Sequence, residues 1–286
     1  MFMVECTVFG GLVLDRYLEI ETFPDRGQDQ LIQNEFAMAG GCAINMASTF
    51  NNLGGRAHVV SYLGNDDVGR DILSYMKRHD FSLAHVDTVD EESGYCIILL
   101  EQDGERTFLT KKGAEGLFRR EILKGNEQVI RHALVTGYYL MSDEAHDIVA
   151  CLEDIDDNGG MTLFDPGPLG AEIDEDILRR TVAISDVVCV NESEEPLVSG
   201  IIRPEQILAV KRGAEGGHIY YRGRTVSYKA TDAEVVDTTG AGDSFDAAFF
   251  YGLVTGLDIE EAAELGARCA GIVIGIKGPH GFWRAP

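Results

Sequence analysis

The sequence predicts an α/β fold with a mostly parallel central sheet, because strand-like and helix-like segments alternate through most of its 286 residues. Two stretches break this alternation and predict a small second sheet that projects from the first. The hydrophobic content of 45% is enough to bury a large core, and the length by itself allows one domain or two.

The first part of the chain predicts two buried strands and two amphipathic helices. The strands are Val4–Gly10 and Ala57–Leu63, and the helices are Cys42–Leu53 and Asp66–His79. In the first helix, apolar residues recur at helical spacing on one face, and a pair of glycines ends it. Asp66 and its neighbour are expected to cap the second helix.

The remainder of the chain predicts three short apolar strands between polar helices, namely Ala133–Gly137, Met161–Phe164 and Val187–Val190. The segment near Asp143–Asp154 has an amphipathic helical pattern. Ile259–Ile276 is rich in Ala, Gly and Ile, a composition typical of closely packed helices. This order of elements favours parallel strands joined by helical connections.

Two regions, Tyr17–Phe36 and Gly94–Thr110, have strand patterns without intervening helices. Gln102–Glu105 predicts a tight turn inside the second region. We expect a small sheet, formed by about residues 13–37 and 94–111, that acts as a lid over a site and excludes water. The alternative is a simple extension of the edge of the main sheet.

The charge of the chain is strongly acidic. Lys and Arg number 24 against 48 Asp and Glu, so the formal net charge is -24. Such a surface repels nucleic acid and anionic membranes, and neither is expected as a partner. A site for phosphate on this protein must therefore rely on local backbone dipoles and a divalent cation.

The cysteine pattern and the apolar segments predict a soluble cytoplasmic protein. None of the six cysteines forms a C-x-x-C pair, so reduced core cysteines are expected rather than disulfides or metal ligands. No apolar run approaches the roughly 20 residues of a membrane span, and the first residues lack the basic region of a signal peptide. The cysteines are Cys6, Cys42, Cys96, Cys151, Cys189 and Cys269.

The most informative motif is Val236–Phe245, in which Gly240, Ala241 and Gly242 precede Asp243 and an apolar helical pattern. Glycines let the backbone approach a ligand closely, and the first amides of a helix lack internal partners, so such a turn binds an anion such as phosphate. A carboxylate beside an anion is unfavourable, and Asp243 is therefore predicted to be a base that takes a proton from an attacking hydroxyl. The alternative is a Gly-rich turn capped by an aspartate.

A second Gly-rich motif spans Gly40–Asn45 and continues to Gly64–Gly69. Together with Asp237–Phe245, it resembles the two signatures of the PfkB (ribokinase-like) family of sugar and nucleoside kinases. The resemblance runs from Val4 to about Gly278. No G-x-x-x-x-G-K-[ST] run occurs, which excludes a P-loop.

The resemblance implies one Rossmann-like domain over residues 1–286, with the small sheet as a lid that is often used for dimerisation. A homodimer through the lid is therefore expected. The resemblance also implies transfer of the γ-phosphate of ATP to a hydroxyl with the help of Mg²⁺. By position, Asp243 is implied to be the base, and its amide is implied to form an anion hole with those of Gly240, Ala241 and Gly242.

The family's ligand contacts also carry over by position. The residues implied to line the pocket for the substrate hydroxyls are Asp15, Gly40, Gly41 and Asn45. Those implied to lie beside the nucleotide are Asn191, Glu194, Gly213 and Gly216.

Two cation sites are implied as well. Glu194 matches a residue near hydrated Mg²⁺. Asp237 and Thr239 match a loop that in some members binds a monovalent cation, so K⁺ is a further candidate cofactor.

Each role has a structural alternative. Asp15 can be a turn residue after a strand, Asn45 a polar residue at a helix start, and Asn191–Glu194 a helix N-terminus. Arg106 can reach a substrate phosphate or acid, but a solvated side chain is the more expected state. The chain departs from the family pattern in one segment: only the short stretch Val198–Pro204 lies where the family carries a helix. This predicts that the nucleotide-binding side of the site is more open.

The sequence predicts an ATP-dependent kinase that acts on a hydroxyl, expected to be primary, of a sugar or related small polyol. A nucleoside kinase of the same family is the first alternative, with Tyr138, Tyr139 or Phe164 as a flat surface for the base, although core packing explains these residues equally well. A non-catalytic sugar-binding relative is the second alternative. The sequence does not name the substrate.

Overall fold

The structure is a computed structural model that describes residues 3–102, 105–123 and 131–281. Its strands are β1 Glu5–Phe9, β2 Val13–Glu19, β3 Asn34–Gly40, β4 Arg56–Gly64, β5 Val86–Val89, β6 Tyr95–Leu100, β7 Arg106–Lys111, β8 His132–Thr136, β9 Met161–Asp165, β10 Val187–Asn191, β11 Ile207–Lys211, β12 Gly217–Tyr221 and β13 Arg224–Tyr228. Its α-helices are α1 Cys42–Asn52, α2 Asp67–Arg78, α3 Ala145–Asp157, α4 Glu175–Ile184, α5 Glu195–Val198, α6 Ala241–Thr255 and α7 Ile259–Ile274.

Within the described residues, the main sheet has nine strands in the order β13-β12-β11-β10-β9-β8-β1-β4-β5. The seven strands from β11 to β5 are parallel, and β12 and β13 continue the sheet as antiparallel strands. The predicted α/β class and mostly parallel sheet are therefore confirmed. The strands carry nearly continuous apolar runs, as expected of a sheet covered on both faces.

Two hydrophobic clusters cover the two faces of this sheet. Successive strand residues alternate between them, so that Val8 faces the cluster with α1, α2, α6 and α7, and Phe9 faces the cluster with α3 and α4. The predicted strands and helices lie within a few residues of their observed bounds. Asp66 caps α2 as predicted, because its carboxylate accepts a hydrogen bond of 2.8 Å from the Gly69 amide.

Helix α7 is a single helix that packs closely against α6, and this contact explains its small residues. A Cβ at Gly252 would lie 2.9 Å from Cβ of Ala262, and a Cβ at Gly266 would lie 2.8 Å from the ring of Phe245. After α7 the chain runs back across the molecule. His280 donates from Nε2 to the Ala39 carbonyl at 2.8 Å, and its burial lowers its pKa to about 4, so the ring is neutral at physiological pH.

A separate sheet, which we call the small sheet, has the order β3-β2-β6-β7. It does not extend the edge of the main sheet. The predicted strand region Tyr17–Phe36 was wrong in its bounds: strands occupy Val13–Glu19 and Asn34–Gly40, and residues 20–33 between them are not strand. Two residues of the predicted turn, 103 and 104, lie outside the described residues, but β6 and β7 on either side of it pair antiparallel.

All six cysteines are free, and five of them are buried. This agrees with the predicted reduced core cysteines. Among the described residues, none of the helices combines the length and the apolar character needed to traverse a bilayer.

Candidate functional site

The carboxyl ends of neighbouring parallel strands meet at one edge of the main sheet, where open α/β sheets bind ligands. Thr136, Asp165, Asn191 and Lys211 end four adjacent strands there. All four line one cavity of about 330 Å³ that also contacts Asp243. The fold therefore gathers polar side chains from distant parts of the chain around the predicted base.

The Gly-rich motif forms a turn that leads directly into α6. Gly240 adopts a left-handed conformation with φ of 76°, and a Cβ there would lie 2.0 Å from the carbonyl oxygen of Pro279. Both facts require glycine at this position. The amide of Ala241 donates a long hydrogen bond of 3.3 Å to the Thr238 carbonyl. The amides of Gly242 and Asp243 belong to the first turn of α6, where no intrahelical acceptor exists.

Asp243 lies at the floor of this cavity and is held by Asn45. Nδ2 of Asn45 donates to Oδ2 of Asp243 at 2.8 Å. Burial raises the pKa of Asp243 to about 6, and the hydrogen bond from Asn45 partly opposes that rise. A carboxyl group with this pKa is ionised at neutral pH and is a better proton acceptor than an ordinary aspartate.

The predicted substrate residues come together beside Asp243. Asp15 lies within strand β2 rather than in a turn, and its side chain packs against Gly40, where a Cβ would lie 1.9 Å from Oδ2 of Asp15. Gly41 has φ of 91° and approaches the Gly11 carbonyl so closely that a Cβ would lie 2.6 Å from it. Burial and the neighbouring Asp243 charge raise the pKa of Asp15 to about 7, against a hydrogen bond from the Gly41 amide.

A second cavity of about 220 Å³ lies between the main and small sheets. Three of the four predicted substrate residues line it, whereas Gly40 packs against Asp15 and is not part of its lining. Asp15, Gly41, Asn45 and Asp243 form its floor, and Phe108 from β7 lies on its wall. The floor offers carboxylate and amide groups that can bond paired hydroxyls. The wall offers apolar and aromatic surface.

Several residues of this cavity had no signal in the sequence. Glu115 is 7% exposed, and both of its carboxylate oxygens accept from the Gly113 amide at 3.0 Å. Burial raises its pKa. Of the three aromatic residues considered for a nucleobase, Phe164 is a core residue that lines neither cavity. Tyr138 lines both cavities, and Tyr139 lines the second one although its side chain is almost fully buried.

Asn191 and Glu194 stabilise the turn at the end of β10. Oδ1 of Asn191 accepts from the Glu194 amide at 3.0 Å, and the Glu194 carboxylate accepts from the Asn191 amide at 2.9 Å. The turn leads into α5, which has only four residues. Both residues also face the cavity of about 330 Å³, so they combine the capping role with a place at the site.

Gly213 and Gly216 line a third cavity of about 380 Å³, which is bounded by apolar residues of α7 and by Tyr228. Gly216 has φ of 88°, and a Cβ there would lie 2.1 Å from the Tyr228 carbonyl. This cavity shares Lys211, Gly213 and Gly242 with the cavity of about 330 Å³. A flat apolar ligand group fits this chemistry better than a charged one.

Lys211 forms a buried ion-pair cluster that the sequence did not predict. Its ammonium lies 2.8 Å from Asp165 Oδ2 and 2.8 Å from Asp246 Oδ2, and its side chain is 15% exposed. Burial opposes ionisation of Asp165, but Lys211 outweighs it and lowers the pKa of Asp165. Burial raises the pKa of Asp246, and Lys211 offsets this only in part.

Asp237 and Thr239, the predicted monovalent-cation ligands, lie in the loop just before Gly240. The carboxylate of Asp237 is 2% exposed and pairs with Nη2 of Arg106 at 2.9 Å. The expectation that Arg106 is solvated was wrong, because its side chain is only 10% exposed. Nothing in the sequence linked two residues 131 positions apart.

The residues present are better suited to a Mg²⁺ ion that keeps most of its waters than to a metal site made entirely of protein ligands. The described ranges contain no group of three or more His, Cys, Asp or Glu side chains that could hold a metal ion. Mg²⁺ is usually bound through one or two carboxylates together with substrate phosphates and waters. Glu194 is the carboxylate on the cavity wall that suits this arrangement, since Asp165 is paired with Lys211.

The three cavities follow one another across the molecule. Asp243 belongs to the cavities of about 220 Å³ and 330 Å³, and Gly242 belongs to those of about 330 Å³ and 380 Å³. The predicted base and the Gly-rich turn therefore stand at the two junctions. The three cavities could hold, in this order, an acceptor, a phosphoryl group and the rest of a nucleotide.

The family model described as pfkB family carbohydrate kinase matches residues 3–284. The uncharacterized sugar kinase YegV of Escherichia coli (strain K12) is 29% identical over 289 residues, with 95% of this chain and 88% of the relative covered. The ATP-dependent ribose-1-phosphate kinase of Halopiger xanaduensis is 27% identical, with 96% and 94% covered. The structure of Burkholderia thailandensis nucleoside kinase in complex with inosine has a TM-score of 0.81 and 26% identity, with 99% and 94% covered.

The match covers nearly the whole chain, and the two sheets, the Gly-rich turn and the ordered cavities agree with it. The chain is an ATP-dependent kinase and belongs to the pfkB family of carbohydrate kinases.

Proposed function

We propose that this kinase transfers the γ-phosphoryl group of ATP to a hydroxyl, expected to be primary, of a sugar or related small polyol. The observation that carries the proposal is the position of Asp243 at the junction of two cavities, with a pKa raised to about 6 and its carboxylate held by Asn45. The acceptor would occupy the cavity lined by Asp15, Gly41 and Asn45, and Gly40 would act by holding Asp15 in place. The adenine would occupy the apolar cavity beside Gly213 and Gly216.

In this mechanism Asp243 takes the proton of the acceptor hydroxyl as the oxygen attacks the γ-phosphorus. The bond between the γ-phosphorus and its bridging oxygen breaks, and ADP leaves with the bonding electrons. The amides of Gly240, Ala241, Gly242 and Asp243 are the proposed anion hole, with those of Gly242 and Asp243 best placed for it. Mg²⁺, when bound through waters near Glu194, would neutralise phosphate charge.

The nucleoside alternative has support from two observations. Phe108 is 51% exposed and Tyr138 is 37% exposed, and both line the acceptor cavity, where they offer aromatic surface for a base. The solved relative that is 26% identical is a nucleoside kinase with bound inosine. A homodimer through the small sheet stays a proposal, supported by exposed Leu109 on its edge strand.

The test combines a substrate panel with an Asp243→Asn variant in a coupled assay of ADP production. The panel contains sugars, sugar acids and nucleosides. We expect turnover with at least one sugar or polyol, and a loss of roughly 100-fold or more in kcat for Asp243→Asn with ATP binding retained. Asp147→Asn, on the exposed face of α3, is the matched control and should keep full activity.

Near-normal turnover by Asp243→Asn with its cognate substrate would contradict the base assignment. Turnover of nucleosides alone would select the alternative. Calorimetry that detects sugar binding but no ATP binding would contradict the kinase mechanism proposed for this site.

A further inference from the structure

We propose that the guanidinium of Arg106, from the small sheet, is the cation that neutralises Asp237 in the loop before the anion-binding turn. It takes the place of a monovalent metal ion there. The inference rests on the proposed function of that turn. It makes two claims. The enzyme works without K⁺, and the geometry of the turn depends on the small sheet being closed over the site.

Both oxygens of the Asp237 carboxylate already accept hydrogen bonds. Oδ1 accepts from the Thr239 amide at 2.9 Å and pairs with Arg106 Nη2 at 2.9 Å. Oδ2 accepts from the Gly278 amide at 3.0 Å. The three donors come from the loop itself, from the small sheet and from the chain that follows α7. A metal ion at this carboxylate would have to bind beside the guanidinium of Arg106, whose positive charge repels it.

Arg106 also holds the residue after Asp237. Its Nη1 donates to Oγ1 of Thr238 at 2.6 Å, so one planar guanidinium bridges two consecutive residues of the loop. These residues directly precede Thr239 and Gly240, whose backbone forms the turn. Bidentate contact fixes orientation as well as charge, which a spherical ion cannot do.

Thr239, the second predicted cation ligand, does not complete a metal site. Its hydroxyl oxygen is buried beside the hydroxyl of Tyr17, and neither oxygen has another hydrogen-bond partner among the described residues. Two neutral hydroxyls cannot by themselves replace the several oxygen ligands that a desolvated cation needs. The residues present therefore do not fit a monovalent metal ion while Arg106 is in place.

The position of Arg106 follows from the alternation of β7. Residues two apart on a strand point to the same face, and Phe108 and Thr110 on that face line the acceptor cavity. Arg106 therefore reaches over the same site at the end of the strand. Only a closed small sheet brings it to Asp237.

A second ion pair joins the small sheet to the segment after α7. Lys277 pairs with Glu19 at the end of β2, and its ammonium lies 4.4 Å from the centre of the Phe36 ring. The neighbouring Gly278 amide binds Asp237. The small sheet thus contacts the loop directly through Arg106 and indirectly through Lys277. Opening the sheet would leave the buried charge of Asp237 without its cation.

The test compares the wild-type protein with Arg106→Gln in KCl, NaCl and choline chloride at equal ionic strength. Two readouts are measured, namely thermal unfolding without ligands and ADP production with the best substrate of the panel. Wild type should give the same melting temperature and the same turnover in all three salts. Arg106→Gln should lose roughly 100-fold in turnover in choline, because a buried charge is left unpaired.

KCl should restore part of that loss, by about tenfold, since the variant leaves room for an ion beside Asp237. Its melting temperature should rise in KCl relative to choline, which the wild-type value should not do. The double variant Arg106→Gln with Asp237→Asn should lose this K⁺ response. Arg70→Gln, which removes an exposed pair with Asp67, is the control and should behave as wild type.

A wild-type melting temperature or turnover that rises specifically in KCl would overturn the proposal. So would an Arg106→Gln variant with wild-type turnover in choline. If that variant fails to fold, the wild-type salt series and the charge-conserving variant Arg106→Lys test the proposal instead. Arg106→Lys should remain independent of K⁺ but lose turnover. Because the melting temperature needs no substrate, its response to salt stays informative even if the panel yields no turnover and the proposed function fails.

Discussion

Replacing Lys211 by Met should destabilise the protein strongly, and the size of the effect can be worked out from its surroundings. Met keeps the length and the apolar stem of the side chain but removes the ammonium that lies 2.8 Å from both Asp165 and Asp246. Their side chains are 13% and 0% exposed, so water cannot replace the lost cation. Removing one partner of such a buried cluster costs about 3–5 kcal/mol.

The cost of protonating Asp165 sets an independent upper limit on the loss of stability. Burial already raises the pKa of Asp246, so Asp165 is the charge that loses its partner. Protonating a carboxyl group of ordinary pKa 3.8 at pH 7 costs about 4 kcal/mol, at about 1.4 kcal/mol per pH unit. We therefore expect a loss of about 4 kcal/mol in the free energy of unfolding, or about 7 °C in Tm for a chain of this length.

The sign of the pH dependence follows from the same pKa values. In the wild type the pKa of Asp165 is lowered, so its contribution is present above its unfolded pKa and is lost only at more acidic pH. In the variant the folded pKa rises above the unfolded one, and the penalty shrinks as pH falls. The deficit should decrease by about 3 kcal/mol between pH 7.5 and pH 5.5.

Urea unfolding of both proteins at the two pH values measures this deficit. Lys77→Met, on the exposed side of α2, is the matched control and should change little. Adding Asp165→Asn to Lys211→Met should recover part of the stability. A deficit under about 1 kcal/mol at pH 7.5, or one that grows as the pH falls, would refute the reasoning.

Two further substitutions test the acceptor side of the site. Asn45→Ala removes the hydrogen bond that lowers the pKa of Asp243. The acid limb of the pH profile of kcat/KM, near pH 6 in the wild type, should therefore move up by about one pH unit. An unmoved limb would contradict the role of this bond. Gly40→Ala places a Cβ 1.9 Å from Oδ2 of Asp15 and should raise KM for the acceptor roughly 10- to 100-fold, with little change in KM for ATP. Gly200→Ala, where a Cβ meets nothing within 4 Å, is the control and should change neither KM. An equal rise in KM for ATP would show that the defect is not local.

Local patterns predicted most of the fold, because strand and helix periodicity depend on neighbouring residues. Apolar runs and helical spacing placed strands β1, β4, β8, β9 and β10 and helices α1, α2, α3 and α7 within a few residues. They gave no bounds for β5, β12, β13 or α4. The bounds of β2 and β3 were missed because Gly10-Gly11 and the residues after Glu19 carry mixed turn and strand signals. Pairing across the small sheet, rather than local preference, decides where those strands end.

The candidate site was predictable where a motif fixes the backbone. The turn at Gly240 needs a left-handed residue, and the sequence shows the glycine directly. Side chains whose roles depend on distant partners were not predictable. Arg106 and Lys211 resemble solvated charges in the sequence, and only the fold brings Asp237, Asp165 and Asp246 against them.

The contacts that close the site join residues far apart along the chain. Asn45 meets Asp243 across 198 positions, Asn52 meets the Gly281 carbonyl across 229, and Ala39 meets His280 across 241. Loops of that length must be closed before such contacts can form, which slows folding and places these contacts late in it. During synthesis, the region around His280 must emerge from the ribosome before these contacts can form, so the site is completed only after every strand of the main sheet, the last of which ends at Tyr228, has been made.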